Sequence, residues 1–513
     1  MKAIELEIFN KLFSAVAEEM GIVLRRSAFS PNIRERCDFS CAIFDEEGEL
    51  IAQASHIPVH LGAMPSTMES VKPLFDWKPG DVVITNDPFS GGTHLPDLTL
   101  IKPIFFKDTL TFFLVVRAHH ADVGGRYAGS MAVTSSLEEE GVLIKPTYLI
   151  RENRLEENFL NSLLRKFRNP KEREGDFKAQ LFSLKRGENR LREMALNYGI
   201  SKLKEMASAL KEYSFKAMST LLRSVPLGSY TFTDYLDDDG FEIKDIPITV
   251  KITFKEEEVL VDFTSSASQV RGCLNAPRAV TYSAVYYVFL SLLNTLGDFP
   301  INQGCFKPIK IITKPGTIVD PLPPCAVAGG NVETSQRLVD VLLGALSLAF
   351  PEIIPAASCG TMNNVAIGNN LWAYYETIGG GMGARPGKDG LSGVHTHMTN
   401  TLNTPVEALE HDYPIRIERY SLRKNSGGLG KFKGGEGLIR EYLFLEKLSV
   451  CLLSERRRYS PYGLKGGKPG AKGENWLIRK EETLLLPGKI NLLVNPGDRL
   501  IIMTPGGGGW GEL

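Results

Sequence analysis

The chain has 513 residues, 43% hydrophobic and 23% charged, which suits an ordinary globular protein of roughly two to four domains with extensive cores and excludes a disordered chain. Lysine plus arginine (59) nearly cancels aspartate plus glutamate (60), so no global field draws the chain to nucleic acid or to an anionic membrane. Small-molecule chemistry or a protein partner is the expectation that remains.

Residues 3–29 place Ile4, Ile8, Leu12, Val16 and Val23 at helical spacing among charges and predict an amphipathic helix. Glu5, Glu7, Glu18 and Glu19 interrupt that stretch, unlike a signal peptide, and no apolar run reaches the roughly 18 residues of a membrane span. Seven cysteines without a Cys-x-x-Cys pair fit reduced thiols. Cys37 and Cys41 read as buried strand residues, and a cytoplasmic protein is expected. A hairpin follows, Asp38–Phe44 and Glu49–Gln53 about the turn Asp45-Glu46-Glu47-Gly48, then a strand at Asp81–Thr85 and a loop from Asn86 to Asp97. Strands at about Leu98–Phe106 and Thr109–Arg117 turn at Lys107-Asp108.

Residues 155–223 interleave Lys, Arg and Glu with Leu, Phe and Met and, past Asp176, predict one or two long helices with solvated faces. Strands return at Tyr230–Asp234, Ile248–Phe254 and Val259–Phe263, and helices at Ala279–Leu296 and Ser335–Phe350. From about residue 355 the chain is rich in glycine and short strands, closing on Gly506-Gly507-Gly508-Gly509-Trp510-Gly511. The expected fold is α+β, mixed and multi-layered, with mostly antiparallel strands, long helices and a Gly-rich β C-terminal region. Its expected parts are a metal-site region 1–150, a helical region 151–225, an α+β region 226–354 and the C-terminal region 355–513.

Five of the eight histidines fall within residues 56–120: His56, His60, His94, His119 and His120. His94-Leu95-Pro96-Asp97 and His119-His120-Ala121-Asp122 each pair imidazole with carboxylate. A hairpin turning at Lys107-Asp108 pairs residues whose numbers sum to about 215, so the two clusters meet at one end of it. Imidazoles with one or two carboxylates suit Mn, Fe or Zn better than Mg or Ca. Parity leaves the histidine open: a two-residue turn puts Asp97 on the face of His120, and one extra turn residue selects His119.

Other motifs offer less. Asp237-Asp238-Asp239-Gly240 lacks the closing glutamate of a calcium loop and reads as a turn, and the chain has neither a Gly-x-x-x-x-Gly-Lys-Ser/Thr nucleotide loop nor a Gly-x-Ser-x-Gly elbow. His395 and His397 share one face of an extended segment and are candidates for substrate binding, and Ser426–Gly435 fits either an anion cradle or turns between short strands.

Together the blocks Glu35-Arg36-Cys37-Asp38-Phe39-Ser40-Cys41, His56-Ile57-Pro58-Val59-His60-Leu61-Gly62, Asn86–Asp97 and Ala118–Gly125 resemble the hydantoinase B/oxoprolinase family. Arg173 with Gly175-Asp176, Asn331–Gln336, Thr399-Asn400-Thr401 and Thr504–Gly509 continue the resemblance along nearly the whole chain. Relatives in that family include 5-oxoprolinases, N-methylhydantoinases and acetone carboxylase subunits. The resemblance implies a cytoplasmic hetero-oligomer in which a hydantoinase A-like ATPase subunit uses ATP to activate a cyclic amide or a carbonyl, and this chain completes the reaction. It also implies a manganese site mapped onto Glu35, His94, Asp97 and His119, thereby favouring His119. The expected chemistry is hydrolytic opening of a cyclic amide, with His120 and Asp122 orienting ligand rings or moving protons and His56 and His60 near the substrate. The rivals are ketone carboxylation and a non-catalytic scaffold for the ATPase.

Overall fold

The computed structural model describes residues 3–54 and 56–513. Helix α1 (Ala3–Ser27) buries Phe9, Phe13, Val16, Ala17, Met20 and Leu24. The expected stripe is rotated, for Ile4 and Ile8 are 75% and 48% exposed. The two phenylalanines, one turn apart, supply the larger apolar surface and therefore select the docked face.

Strands β1 (Phe39–Asp45), β2 (Leu50–Gln53), β3 (Val82–Thr85), β4 (Asp97–Phe106), β5 (Thr109–His119), β6 (Thr147–Arg151) and β7 (Arg154–Leu155) form a seven-stranded sheet ordered β2-β1-β5-β4-β3-β6-β7. Every neighbouring pair is antiparallel. Its two faces follow the period-two alternation of side chains. Cys41, Ile43, Leu98, Leu100, Leu114, Val116 and Ala118 pack with α1 and with helix α2 (Pro170–Tyr198). Ala42, Phe44, Val83, Ile101, Phe113 and Val115 face the rest of the chain. Helix α2 begins six residues before Asp176, at Pro170, a residue suited to the first helical turn. Helix α3 (Ile200–Arg223) follows it.

The second sheet combines β8 (Gly228–Asp238), β9 (Lys244–Phe254), β10 (Val259–Asp262) and β11 (Ile309–Ile312), with β10 and β11 parallel. Helices α4 (Arg278–Leu293) and α5 (Ser335–Ala349) contribute to the same apolar cluster, and a π-helical turn, Gly330–Thr334, leads into α5. Among the described residues, no helix is long and apolar enough to cross a membrane.

The C-terminal part holds two further sheets. Strands β12 (Asn364–Gly368), β13 (Ala373–Glu376), β16 (Leu448–Leu453) and β19 (Lys489–Val494) make one. Strands β14 (Ile415–Arg423), β15 (Gly437–Phe444), β17 (Glu474–Arg479), β18 (Glu482–Leu486) and β20 (Arg499–Met503) make the other. The glycine runs let backbone pass against backbone: a Cβ on Gly507 would lie 2.1 Å from the Met382 carbonyl oxygen. The N–H groups of Gly428, Lys431, Gly434 and Gly435 are committed to the carbonyls of Gly507, Gly511, Gly428 and Met382. Ser426–Gly435 is thus scaffold rather than an anion cradle. The fold is α+β with several antiparallel sheets and no barrel. One apolar cluster runs from Ala42 through α5 to Leu453, across the divisions expected from sequence.

Candidate metal centre

The hairpin of β4 and β5 turns at Lys107-Asp108, where Phe106 pairs with Thr109 and Phe105 with Leu110. The register then shifts, so that Ile104 pairs with Phe112 and, at the far end, Asp97 with His119. Thr111 is the extra residue of a β-bulge, and it reverses the parity of everything beyond it. Asp97, Thr99, Arg117 and His119 therefore share one face. His120 follows on the other, where its Nε2 lies 3.0 Å from Gln180 Oε1 and its ring packs on Phe177.

The loop before β4 is fixed by its own polar residues. Asn86 accepts from the Ile144 N–H and donates to the Leu95 and Val142 carbonyls. Asp87 accepts from the Phe89 N–H and the Ser90 hydroxyl. Gly91 has φ +83° and approaches the Ser66 backbone so closely that a Cβ would lie 2.4 Å from it. This loop carries Thr93, His94 and Asp97 inward, each at most 2% exposed.

One ligand atom from each of His94, Asp97 and His119 lies within 4.8 Å of the others. His94 Nδ1 is 2.9 Å from Asp97 Oδ2, and His119 Nδ1 is 3.5 Å from Asp97 Oδ1 and 3.8 Å from Asp38 Oδ2. The Ile57 N–H donates to Ser40 Oγ, which lies 2.8 Å from His60 Nδ1. The Ser40 hydroxyl proton then serves His60 Nδ1, and His60 Nε2–H donates to Asp97 Oδ2 across 3.2 Å. The Thr93 hydroxyl donates to the same oxygen. Both His94 nitrogens, His119 Nε2 and Asp97 Oδ1 have no hydrogen-bond partner although buried. Orphaned donor atoms converging on a cavity of about 20 Å³ fit a single small cation, since buried polar groups are otherwise satisfied.

Electrostatics agree with that fit. Burial opposes ionisation of Asp97, yet the His94 and His60 imidazoles and the hydrogen bonds from His119 and His60 hold its carboxyl well below the usual range. Burial lowers the His119 pKa against the pull of Asp38 and Asp97, which favours the neutral ring that ligates metals. Arg117, also driven down by burial, to about 10, bonds the hydroxyls of Thr99 and Thr67. Across the cavity, Tyr375 stacks on His119 at 4.9 Å and 10°. Asn331, Met362, Met398, Thr399 and Thr401 complete the wall.

The remaining expected residues lie elsewhere. Glu35 is turned to the Arg34 guanidinium and does not line the cavity; Asp38, three residues on, does. Asp122, expected beside the ligand rings, instead accepts from the N–H groups of Gly124, Gly129 and Arg168 and pairs with the Arg168 guanidinium at 3.0 Å. His120 is likewise displaced from the expected place, by the parity of β5. His56 Nδ1 accepts from the Cys41 N–H, its ring meets the edge of Phe39, and burial pushes its pKa down to about 4. His395 and His397 line a separate cavity of about 650 Å³ with Tyr287, Leu343 and Met382, and Thr399 borders both cavities. Sequence reasoning missed Asp38, Thr93 and Tyr375. Asp38 was within reach: β1 pairs with β5 as Phe39 with Ala118, which sets Asp38 beside His119.

The Hydantoinase B/oxoprolinase family model matches residues 2–513. The chain is 43% identical to an uncharacterized protein of Methanocaldococcus jannaschii over 100% of this chain and 91% of that one. It is 40% identical to 5-oxoprolinase 1 of Arabidopsis thaliana over 99% of this chain but 42% of the plant protein, so it spans about two fifths of that relative. The B component of a putative D-/L-hydantoinase from a Pseudomonas species is 33% identical over 97% of this chain and 88% of its own length. Among solved structures, an ATP-dependent caprolactamase from Pseudomonas jessenii superposes with TM-score 0.92 at 28% identity, over 100% of this chain and 91% of the other. An acetone carboxylase shares the fold, with TM-score 0.90 at 17% identity over 99% of this chain and 76% of the other.

Proposed function

Because the chain belongs to the hydantoinase B/oxoprolinase family, we propose that it is the metal-dependent subunit of an ATP-dependent cyclic-amide hydrolase, working with a hydantoinase A-like ATPase subunit. The observation that carries this reading is the convergence of His94, Asp97 and His119 with their donor atoms unpaired. A relative named as one component of a multi-subunit hydantoinase supports the separate partner, and the absence of a Walker-type loop from the sequence agrees with ATP being used there.

His94, Asp97 and His119 hold one divalent ion, Mn, with Fe or Zn as the other candidates, and Asp38 stands where a fourth ligand belongs. Such an ion supplies Lewis acidity to the amide carbonyl and to the attacking water. Thr93 and His60 occupy Asp97 Oδ2 and leave Oδ1 directed at the ion. Tyr375, Met362 and Met398 keep bulk water from the cavity, and the Thr399 hydroxyl stands between it and the larger chamber. His395 and His397 contact the substrate in that chamber.

The test uses the chain co-purified with its ATPase partner. Stoichiometric Mn, Fe or Zn and ATP-dependent ring opening are expected from the wild type, with loss of both in His94→Ala. Retention of stoichiometric metal by His94→Ala refutes the ligand assignment. Because an acetone carboxylase shares the fold, labelled bicarbonate and a ketone are supplied in parallel, and label in the product would replace hydrolysis by carboxylation.

A further inference from the structure

We infer that Glu333 is a positioning residue for His119, acting through Asn364 and Tyr375. The inference rests on the reading of His119 as a ligand. The π-helical turn Gly330–Thr334 lies against the cavity: Asn331 and Val332 line it, and Glu333, the next residue, points away from it. Such wide turns recur at functional sites because they re-aim side chains within a helix. This one is held close to its neighbour, for a Cβ on Gly330 would lie 1.9 Å from the Asn275 carbonyl oxygen.

Glu333 Oε1 accepts from the Met362 N–H at 3.0 Å and from Asn364 Nδ2 at 2.6 Å. Asn364 Nδ2 gives its second proton to the Leu453 carbonyl at 2.7 Å. With both amide protons committed, the Asn364 side chain has one orientation, and its Oδ1 accepts from the Tyr375 hydroxyl at 2.6 Å. The Tyr375 ring is thereby fixed at its far end. At its near end the backbone carbonyl accepts from Arg36 Nη1, and the Arg36 guanidinium lies 4.9 Å from the ring centroid. Tyr375 then sets the plane of His119, whose Nε2 has no partner of its own. The other two candidate ligands are braced otherwise, Asp97 by Thr93 and His60, and His94 by the loop that carries it.

Packing alone does not call for a carboxylate here. Glu333 is fully buried and its Oε2 is unpartnered, so an apolar residue of similar size would cost the fold less. Groups outside a ligand shell that orient ligand rings have this character.

The experiment compares Tyr375→Phe, Asn364→Leu and Glu333→Gln with wild type in the full-length chain, using Mn(II) alone as probe and the ¹⁵N imidazole resonances of His119 in metal-free protein as a second readout. Tyr375→Phe removes one oxygen and keeps the ring, so it folds. It and Asn364→Leu are expected to weaken Mn(II) binding about tenfold or more and to shift the His119 resonances, whereas Glu333→Gln, which retains the Oε1 acceptor, stays within about threefold. Wild-type affinity and unmoved His119 resonances in Tyr375→Phe and Asn364→Leu would overturn the inference. Failure of wild type to take up Mn(II) would count against the metal reading instead, and the His119 resonances would still decide the positioning role.

Discussion

Asp97 stands directly across the sheet from His119, and that pairing exists only because Thr111 is an additional residue in β5. Without the bulge the same hairpin would bring His120 to the face of Asp97 and send His119 toward α2. The neighbours consequently differ in kind: His119 borders the cavity, while His120 is tied to Gln180 and Phe177. His119→Ala is expected to abolish stoichiometric metal as read by elemental analysis. His120→Ala keeps its metal but destabilises the fold by about 1–3 kcal/mol, the cost of stranding a buried polar partner, measured by denaturant unfolding.

That bulge also marks the limit of what could be read from the chain. The turn at Lys107-Asp108, the meeting of the two histidine clusters and the order of strands and helices follow from alternation and turn chemistry. The bulge at Thr111 leaves no comparable trace, because Thr111-Phe112-Phe113 alternates equally well in either register. The orientation of α1 is hidden for a related reason: several apolar stripes fit its sequence, and the mass of Phe9 and Phe13 against α2 decides between them. Tyr375 and Asn331 reach the cavity from parts of the chain more than 200 residues beyond His119. Only tertiary packing brings them there.

Glu35 and Asp38 are three residues apart and offer a clean discrimination. Asp38 Oδ2 lies 3.8 Å from His119 Nδ1, while Glu35 is paired with Arg34. Asp38→Asn is expected to weaken Mn(II) binding at least about tenfold and Glu35→Gln to leave it within about twofold. Titration of the two variants reads the difference, and the reverse order would restore Glu35 as the ligand.

Thr93 donates to the oxygen of Asp97 that also receives His60. Thr93→Val preserves shape and removes that donor. The freed Asp97 oxygen competes for the ion in a second geometry, so metal affinity is expected to fall about 10-fold to 100-fold with little change in melting temperature. Calorimetric titration with Mn(II) measures it.

Asp122 accepts three backbone N–H groups and pairs with Arg168, so its work is to hold the turn after β5 against the segment before α2. Asp122→Ala leaves the Arg168 guanidinium without its charge partner and is expected to cost about 3–5 kcal/mol. Metal bound per folded molecule should not change. Loss of metal from a variant that still unfolds cooperatively at the wild-type midpoint would contradict this and return Asp122 to the site.

Glu140 provides a pH signature that is separate from the cavity. Its Oε1 accepts from the Thr134 hydroxyl and from the N–H groups of Val327 and Ala328, its Oε2 has no partner, and no cation pairs with it among the described residues. Burial therefore prevails over those hydrogen bonds and pushes its pKa up to about 8. With the folded value above the unfolded one, the protonated side chain contributes its full stability below the ordinary glutamate range, and that contribution is lost as pH rises through about 8. Glu140→Gln keeps the Oε1 acceptor and has no proton to lose. Its melting temperature relative to wild type is expected to rise steadily between pH 5 and pH 9, by roughly a few °C in all. Glu333 and Glu455, pushed by burial to about 8 and about 7, leave a residual slope in both proteins. Parallel melting curves for the two proteins across that range would mean that Glu140 is ionised in the fold throughout.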